Sequence, residues 1–181
     1  MSGAGDRARH IVWTIGHSTR TQEQLLALLR AHGIGAIADV RRFPASRRHP
    51  HVHRDALAIW LPEAGIRYEH FEELGGRRAP RPDSRNTGLQ NASFRGYADH
   101  MATPAFHHAI DRLLALSREQ PTAVMCAEAV WWRCHRSLIS DFLSVRGIEV
   151  RHILDASPAR PHRIQELARA EGDHVCYPGL L

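Results

Sequence analysis

Residues 122–136 read Thr-Ala-Val-Met-Cys-Ala-Glu-Ala-Val-Trp-Trp-Arg-Cys-His-Arg. The apolar opening of this stretch has the length and make-up of a short buried strand, and a helix-like pattern follows from His135 to Val145. Between them lie two thiols, a carboxylate, an imidazole, two guanidiniums and two indoles. A strand that ends in titratable groups and runs into a helix delivers those groups to the carboxyl edge of an α/β sheet, where such folds bind their ligands.

Working outward, the same alternation recurs. Val12 to Ile15 reads as a strand, and a helix follows from about Thr21, where Thr21 and Gln24 have capping-box spacing and Gly33 closes the element. Ala36 to Val40 is a second strand with Asp39 at its end. A helix is expected over Arg54 to Ala64, ended early by Pro62, then a strand over Ile66 to His70. Residues 71–93 carry Gly75-Gly76, Arg77-Arg78, Pro80 and Pro82 without an apolar pattern and read as a long loop of the lid kind. Helix is expected from about Tyr97, restarting at Thr103-Pro104 and running to Arg118. After the central strand Ala123 to Cys126 come the helix from His135, a strand over Glu149 to Leu154 and a terminal helix over Pro161 to Ala170. Short strands alternating with helices predict a single α/β domain over residues 11–181, with a mostly parallel sheet covered by helices on both faces.

Composition narrows the partners. The 181-residue chain has a formal net charge of +5, and all 24 of its basic residues are arginine. Arginine's planar fork suits phosphate and carboxylate, so a nucleic acid or nucleotide-like anion is the expected partner. No apolar run approaches the roughly 20 residues that cross a bilayer. Residues 1–10 are small and charged with no apolar core, so a flexible N-terminus and a cytoplasmic protein are expected. Three cysteines form no disulfide framework and are expected as free thiols.

The residues just beyond the expected strands form the candidate site. Glu128 and Asp39 are the candidate catalytic carboxylates, with Asp39 read equally well as the partner that orients Arg41 or His17; His135 is an alternative proton carrier. His17 and Ser18, in a glycine turn leading into a helix, are candidates to place backbone N–H groups on an anion. Arg41, Arg42, Arg47 and Arg48, with Arg133 and Arg136, are candidate phosphate ligands. Phe94, Arg95 and Tyr97, with Trp131 and Trp132, are candidates to stack a base, although Phe94 and Tyr97, three apart on a helix, more often belong to a core. Cys126 and Cys134 are candidate reactive thiols, Cys134 through its place at a helix N-terminus. Seven residues separate them, which is not the C-x-x-C form; a zinc site of Cys126, Cys134, His135 and one remote ligand is the weaker reading, and neither a metal nor any other cofactor is expected. The tract His49-Pro50-His51-Val52-His53 reads as a solvated loop facing phosphate.

With those residues in view the chain resembles the domain of unknown function 488 family. The resemblance rests on Thr14-Ile15-Gly16-His17-Ser18, Asp39-Val40-Arg41-Arg42-Phe43-Pro44, Ser46-Arg47-Arg48, Leu74-Gly75-Gly76, Phe94-Arg95-Gly96-Tyr97-Ala98, Cys126-Ala127-Glu128 and Arg133-Cys134-His135-Arg136, in that order. It implies a compact α/β domain and marks these positions as a signature, while implying no activity. From the residues themselves the expected function is an enzyme acting on a nucleic acid or nucleobase-containing substrate. Its most concrete form is metal-independent hydrolysis of an N-glycosidic C–N bond, as in base-excision repair, with Glu128 or Asp39 activating water. The alternatives are a non-catalytic module that binds nucleic acid or protein, and a thiol-dependent enzyme using Cys126 or Cys134.

Overall fold

The computed structural model describes residues 10–179, so the expectation of a flexible N-terminus falls almost wholly outside the described residues. Six strands form one sheet in the order β3-β2-β4-β1-β5-β6. The first five, β1 (Ile11–Gly16), β2 (Ala36–Asp39), β3 (Arg67–His70), β4 (Thr122–Cys126) and β5 (Glu149–Ile153), are mutually parallel, and β6 (Arg160–Pro161) is antiparallel to β5. The protein is thus an α/β structure with a mostly parallel sheet.

Side chains on successive strand residues point to opposite faces, and each face is covered by its own set of helices. Ile15, Ile37, Ala123, Met125 and Ile153 pack with Leu25 and Leu29 of α1 (Gln22–Ala31) and with Leu57, Trp60 and Leu61 of α2 (Arg54–Glu63). Val12, Ala36, Ala38, Val124 and Val150 pack instead with α3 (Ala92–Met101), α4 (Pro104–Glu119) and α5 (Arg136–Val145), through Tyr97, Phe106, Ile110, Leu113, Leu138 and Phe142. Each fully buried aliphatic side chain contributes about 1.5–3 kcal/mol. These two layers therefore fix the strand ends against one another.

The capping box at Thr21 and Gln24 is present, with the Thr21 side chain accepting from the Gln24 N–H and the Gln24 side chain accepting in return. Three boundaries differ from expectation. Helix α2 runs through Pro62 to Glu63: the proline forgoes one intrahelical bond, and burial of Leu57, Trp60 and Leu61 on the inner face holds the helix in spite of it. Helix α3 starts at Ala92 rather than near Tyr97: Asn91 caps it, its carboxamide oxygen accepting from the N–H groups of Ser93 and Phe94.

The third difference is larger. No terminal helix forms over Pro161 to Ala170; the chain instead makes β6 and then a hairpin of β7 (Arg169–Glu171) and β8 (His174–Cys176). The helical spacing of Ile164, Leu167 and Ala168 loses to tertiary bonds. Buried Asp141 of α5 accepts from His162 Nε2 at 2.7 Å, from the Gln165 backbone at 3.0 Å and from Gln165 Nε2 at 2.8 Å, which pins the segment as an extended strap. Hydrogen bonds to a charged acceptor are worth about 1.5–3 kcal/mol each, more than helix propensity offers over one turn.

The segment expected as a lid contains a 3₁₀ turn at Glu72–Leu74 and is anchored along its length. Leu74 O accepts from the Tyr97 hydroxyl, Gly75 O from Arg78 Nε, and Tyr177 O from the Gly88 N–H, while Asn86 Nδ2 donates to Asp99. It forms one wall of the cavity described next.

Candidate functional site

Strand register brings the chemistry to one rim. Gly16 pairs with Cys126, Asp39 with Met125, and Asp39 also with His70, so the last residues of β1, β4, β2 and β3 stand in a row at the carboxyl edge. The loop after β4 crosses this edge directly over β1. A Cβ placed on Gly16 would sit 1.7 Å from the Glu128 carbonyl oxygen, so only glycine allows the approach. Two backbone bonds fasten the crossing, from His17 N–H to Cys126 O and from Ser18 N–H to Ala127 O, both at 2.9 Å.

Beneath that loop lies Arg136, the first residue of α5, only 1% exposed. Its guanidinium donates to the Glu128 carbonyl and, at 3.3 Å, to the Thr14 hydroxyl, while its Nε meets no acceptor. No carboxylate pairs with it among the described residues. A hydrogen-bonded line continues from there: Thr14 Oγ1 to His152 Nδ1 at 2.7 Å, His152 Nε2 to His162 Nδ1 at 2.9 Å, His162 Nε2 to Asp141 at 2.7 Å. His152 also stacks flat under Trp131, with ring centroids 4.0 Å apart and planes 4° from parallel. Burial, then the neighbouring His162 and Arg136, lower the His152 pKa to about 3, so it stands neutral in the line.

Above the rim a cavity of about 320 Å³ opens to solvent. Its walls come from the segment after β2 (Arg41, Arg42, Phe43, Ala45, Ser46), the anchored loop and start of α3 (Gly76, Arg77, Ser93, Phe94) and the loop after β4 (Ala127, Glu128, Arg133). His17, Cys126, Cys134 and His135 also line it. The Glu128 side chain is exposed into this space, and no described residue forms an ion pair with it. Arg41 is held rigidly: Asp39, with no exposed surface, accepts its Nε at 2.8 Å and its Nη2 at 2.6 Å, and also accepts the Tyr68 hydroxyl at 2.8 Å. Arg41 Nη1 donates to His17 Nε2 at 3.2 Å, while His17 Nδ1 donates to Ser18 O. Burial, and secondarily the Arg41 charge, take the His17 pKa down to about 4, so it accepts as a neutral ring.

The deepest wall holds two thiols and an imidazole. Cys134 Sγ lies 3.6 Å from His135 Nδ1, and His135 Nε2 lies 3.0 Å from the Val40 carbonyl, which fixes that nitrogen as the donor and leaves Nδ1 as the acceptor. The adjoining Cys126 thiol lowers the Cys134 pKa well below its usual range, with His135 and Arg136 adding to it. Cys126 is raised in turn, by Cys134 and by burial. A Cβ on Gly76 would come within 2.8 Å of His135 Nδ1, so the glycine keeps that nitrogen clear.

A family model described as domain of unknown function DUF488 matches residues 21–143, about two thirds of the chain, and takes in both the Asp39-to-Arg42 corner and the Cys126-to-Arg136 loop. This protein belongs to the DUF488 family. No curated protein and no solved structure matches the chain.

Within this DUF488 protein the candidate residues divide. Glu128, His17, Arg41, Arg42, Phe94, Cys126, Arg133, Cys134 and His135 meet at the cavity. Asp39 does not: both its oxygens are committed to Arg41 and Tyr68, so it orients the arginine instead of meeting a ligand. His17 and Ser18 offer no backbone anion cradle, because their N–H groups are spent on Cys126 O and Ala127 O. Tyr97 is fully buried with its hydroxyl on Leu74 O, and Arg95 donates to Leu89 O, so neither stacks a base. Trp131 is stacked on His152, Trp132 projects outward with 51% exposure, and neither lines the cavity. Arg47 and Arg48 are exposed beside the mouth, and Arg136 lies beneath the loop rather than in the open space.

Three residues that the sequence did not offer as site candidates belong to the site. Phe43, 63% exposed, stands at the mouth beside Arg42, whose guanidinium lies 5.3 Å from its ring centroid. Arg77 adopts a left-handed backbone, φ 59°, unusual for a residue with a Cβ, and Gly76 spares His135. The Gly75-Gly76-Arg77-Arg78 run was the available signal.

Proposed function

We propose that this DUF488 protein is an enzyme that hydrolyses a C–N bond in a nucleic acid or other nucleobase-containing anion. The observation that carries the reading is the cavity itself: a free carboxylate, Glu128, faces a space of about 320 Å³ whose walls bring in Arg41, Arg42, Arg77 and Arg133. That volume lies at the small-ligand end of the range for binding pockets, which suits a single base or nucleoside. The guanidiniums would hold phosphate by charge-assisted bonds, with Phe43 and Phe94 offering apolar faces to a base. Glu128 would take a proton from water as the water oxygen bonds to the carbon, and the proton then passes to the departing nitrogen. Water is consumed and no oxidant or reductant is needed. Hydrolysis of an N-glycosidic bond in damaged DNA is the most concrete form. Among the described residues no helix is long and apolar enough to cross a membrane. A cytoplasmic location is part of this proposal and rests on the sequence reading of residues 1–10.

The test incubates purified protein with oligonucleotides that carry uracil, hypoxanthine or alkylated bases, and compares Glu128→Gln. Base release by the wild type with at least about a hundredfold loss in the variant supports the reading. Tight, salt-sensitive binding without turnover in either protein would replace it with a binding module.

A further inference from the structure

We infer that Cys126, Cys134 and His135 form a zinc site at the floor of the cavity, with its fourth coordination position open toward Glu128. One potential ligand atom from each of the three residues lies within 4.8 Å of the others, and all three residues are buried. Zinc takes thiolate sulfur at about 2.3 Å and imidazole nitrogen at about 2.0–2.1 Å, so a tetrahedral site has S–N edges of about 3.6 Å and an S–S edge of about 3.8 Å. The Cys134 Sγ to His135 Nδ1 separation is already 3.6 Å. The remaining edges, none longer than 4.8 Å, need close by no more than about 1.2 Å to complete the face of a tetrahedron.

The surroundings fit a metal on four further counts. His135 Nε2 is committed to the Val40 carbonyl, the outer hydrogen bond that fixes a ligating imidazole with its other nitrogen toward the ion. Gly76 passes so close to His135 Nδ1 that any larger residue would cover it. Two thiolates this close repel one another, and a dication between them removes that cost. Two sulfurs and one imidazole form a donor set that favours zinc over magnesium or calcium.

Three protein ligands with an open fourth position are the pattern of a catalytic zinc, in which bound water is acidified to a pKa of about 7. Beside a carboxylate that is not a ligand, such a zinc would supply an attacking hydroxide for the C–N hydrolysis proposed above. Glu128 stands two residues beyond Cys126 on the same cavity wall. The role of the ion rests on the hydrolytic reading above, whereas its presence rests on ligand geometry alone.

Untagged full-length protein is purified with zinc, dialysed, and assayed for metal content; a metal-free sample is titrated with cobalt(II). The expected result is one zinc per chain and a tetrahedral cobalt spectrum with thiolate-to-metal charge-transfer bands. Cys126→Ser and Cys134→Ser should each lose stoichiometric binding, while Glu128→Gln keeps it. Because a cysteine variant can lose metal simply by unfolding, a second measurement uses the wild type: zinc should slow iodoacetamide labelling of both thiols at least tenfold. Substoichiometric metal, cobalt without thiolate bands, or labelling indifferent to zinc would overturn the site and point to a metal-free thiol. None of these readouts requires turnover, so a protein that holds zinc yet releases no base would sink the proposed reaction and leave the metal site standing.

Discussion

Replacing Asp39 by asparagine separates a structural carboxylate from one that is open to the cavity. Asp39 has no exposed surface and accepts three bonds from Arg41, from its backbone N–H at 3.1 Å, Nε at 2.8 Å and Nη2 at 2.6 Å, and one from Tyr68 at 2.8 Å. The amide keeps the shape but turns an acceptor into an NH2 donor and leaves the Arg41 guanidinium, itself 7% exposed, without its counter-charge. Breaking a buried pair from one side costs about 3–5 kcal/mol, because the stranded charge stays desolvated. With a urea slope of about 2 kcal/mol per molar, the unfolding midpoint should fall by about 2 M. The double variant Asp39→Asn with Arg41→Met removes the stranded charge and should recover about 2 kcal/mol. Glu128→Gln, on the open wall, should stay within about 0.5 kcal/mol of the wild type. The assay is equilibrium urea unfolding followed by circular dichroism on all four proteins. A single variant as stable as the wild type, or a double variant no better than the single, would refute the account of Asp39 as Arg41's anchor.

Arg42→Ala should weaken binding of a phosphate-bearing oligonucleotide about tenfold and lower the slope of log affinity against log salt by about 0.7–0.9, with little change in melting temperature; a drop in stability like that of a core truncation would remove the arginine from the binding role. Gly76→Ala puts a methyl 2.8 Å from His135 Nδ1 and should cut activity and cobalt binding sharply at a cost in stability of about 1 kcal/mol, read by unfolding and cobalt absorbance together. His152 is neutral in the fold down to about pH 3 but takes a proton in the unfolded chain below about 6.5. Its contribution is therefore complete above pH 6.5 and is lost as pH falls from there toward 3, by about 1.4 kcal/mol per pH unit. His152→Gln should flatten the wild-type slope between pH 6 and 4 by that amount, and an unchanged slope would show that the ring is not held neutral.

The rim was legible because parallel strands leave little freedom: once Val12 to Ile15, Ala36 to Val40 and Ala123 to Cys126 are read as strands, Gly16, Asp39 and Cys126 must align. What lay beyond pattern was direction and partner. Asp39 at a strand end looks the same whether it faces a ligand or an arginine two residues away, and only the Arg41 and Tyr68 contacts decide. Phe94 and Tyr97, three apart on a helix, fit a core face as well as a stacking platform, and the structure divides them, with Tyr97 buried and Phe94 on the cavity wall. The terminal strap was misread as helix because Ile164, Leu167 and Ala168 have helical spacing, while the buried Asp141 that captures the strap is more than 20 residues away. Gly76 and Arg77 enter the site from a loop with no periodicity at all.

The line from Arg136 through Thr14, His152 and His162 to Asp141 has a practical consequence for anyone trimming this protein. The family match at residues 21–143 contains nearly every group on the cavity wall, yet Thr14, His152 and His162 all fall outside it. A fragment cut to those limits would carry the motif intact and lose the scaffolding that steadies Arg136 under the Glu128 carbonyl. The smallest intact unit around this cavity floor is therefore longer than its recognisable signature, and expression boundaries should be drawn outside β1 and beyond the strap.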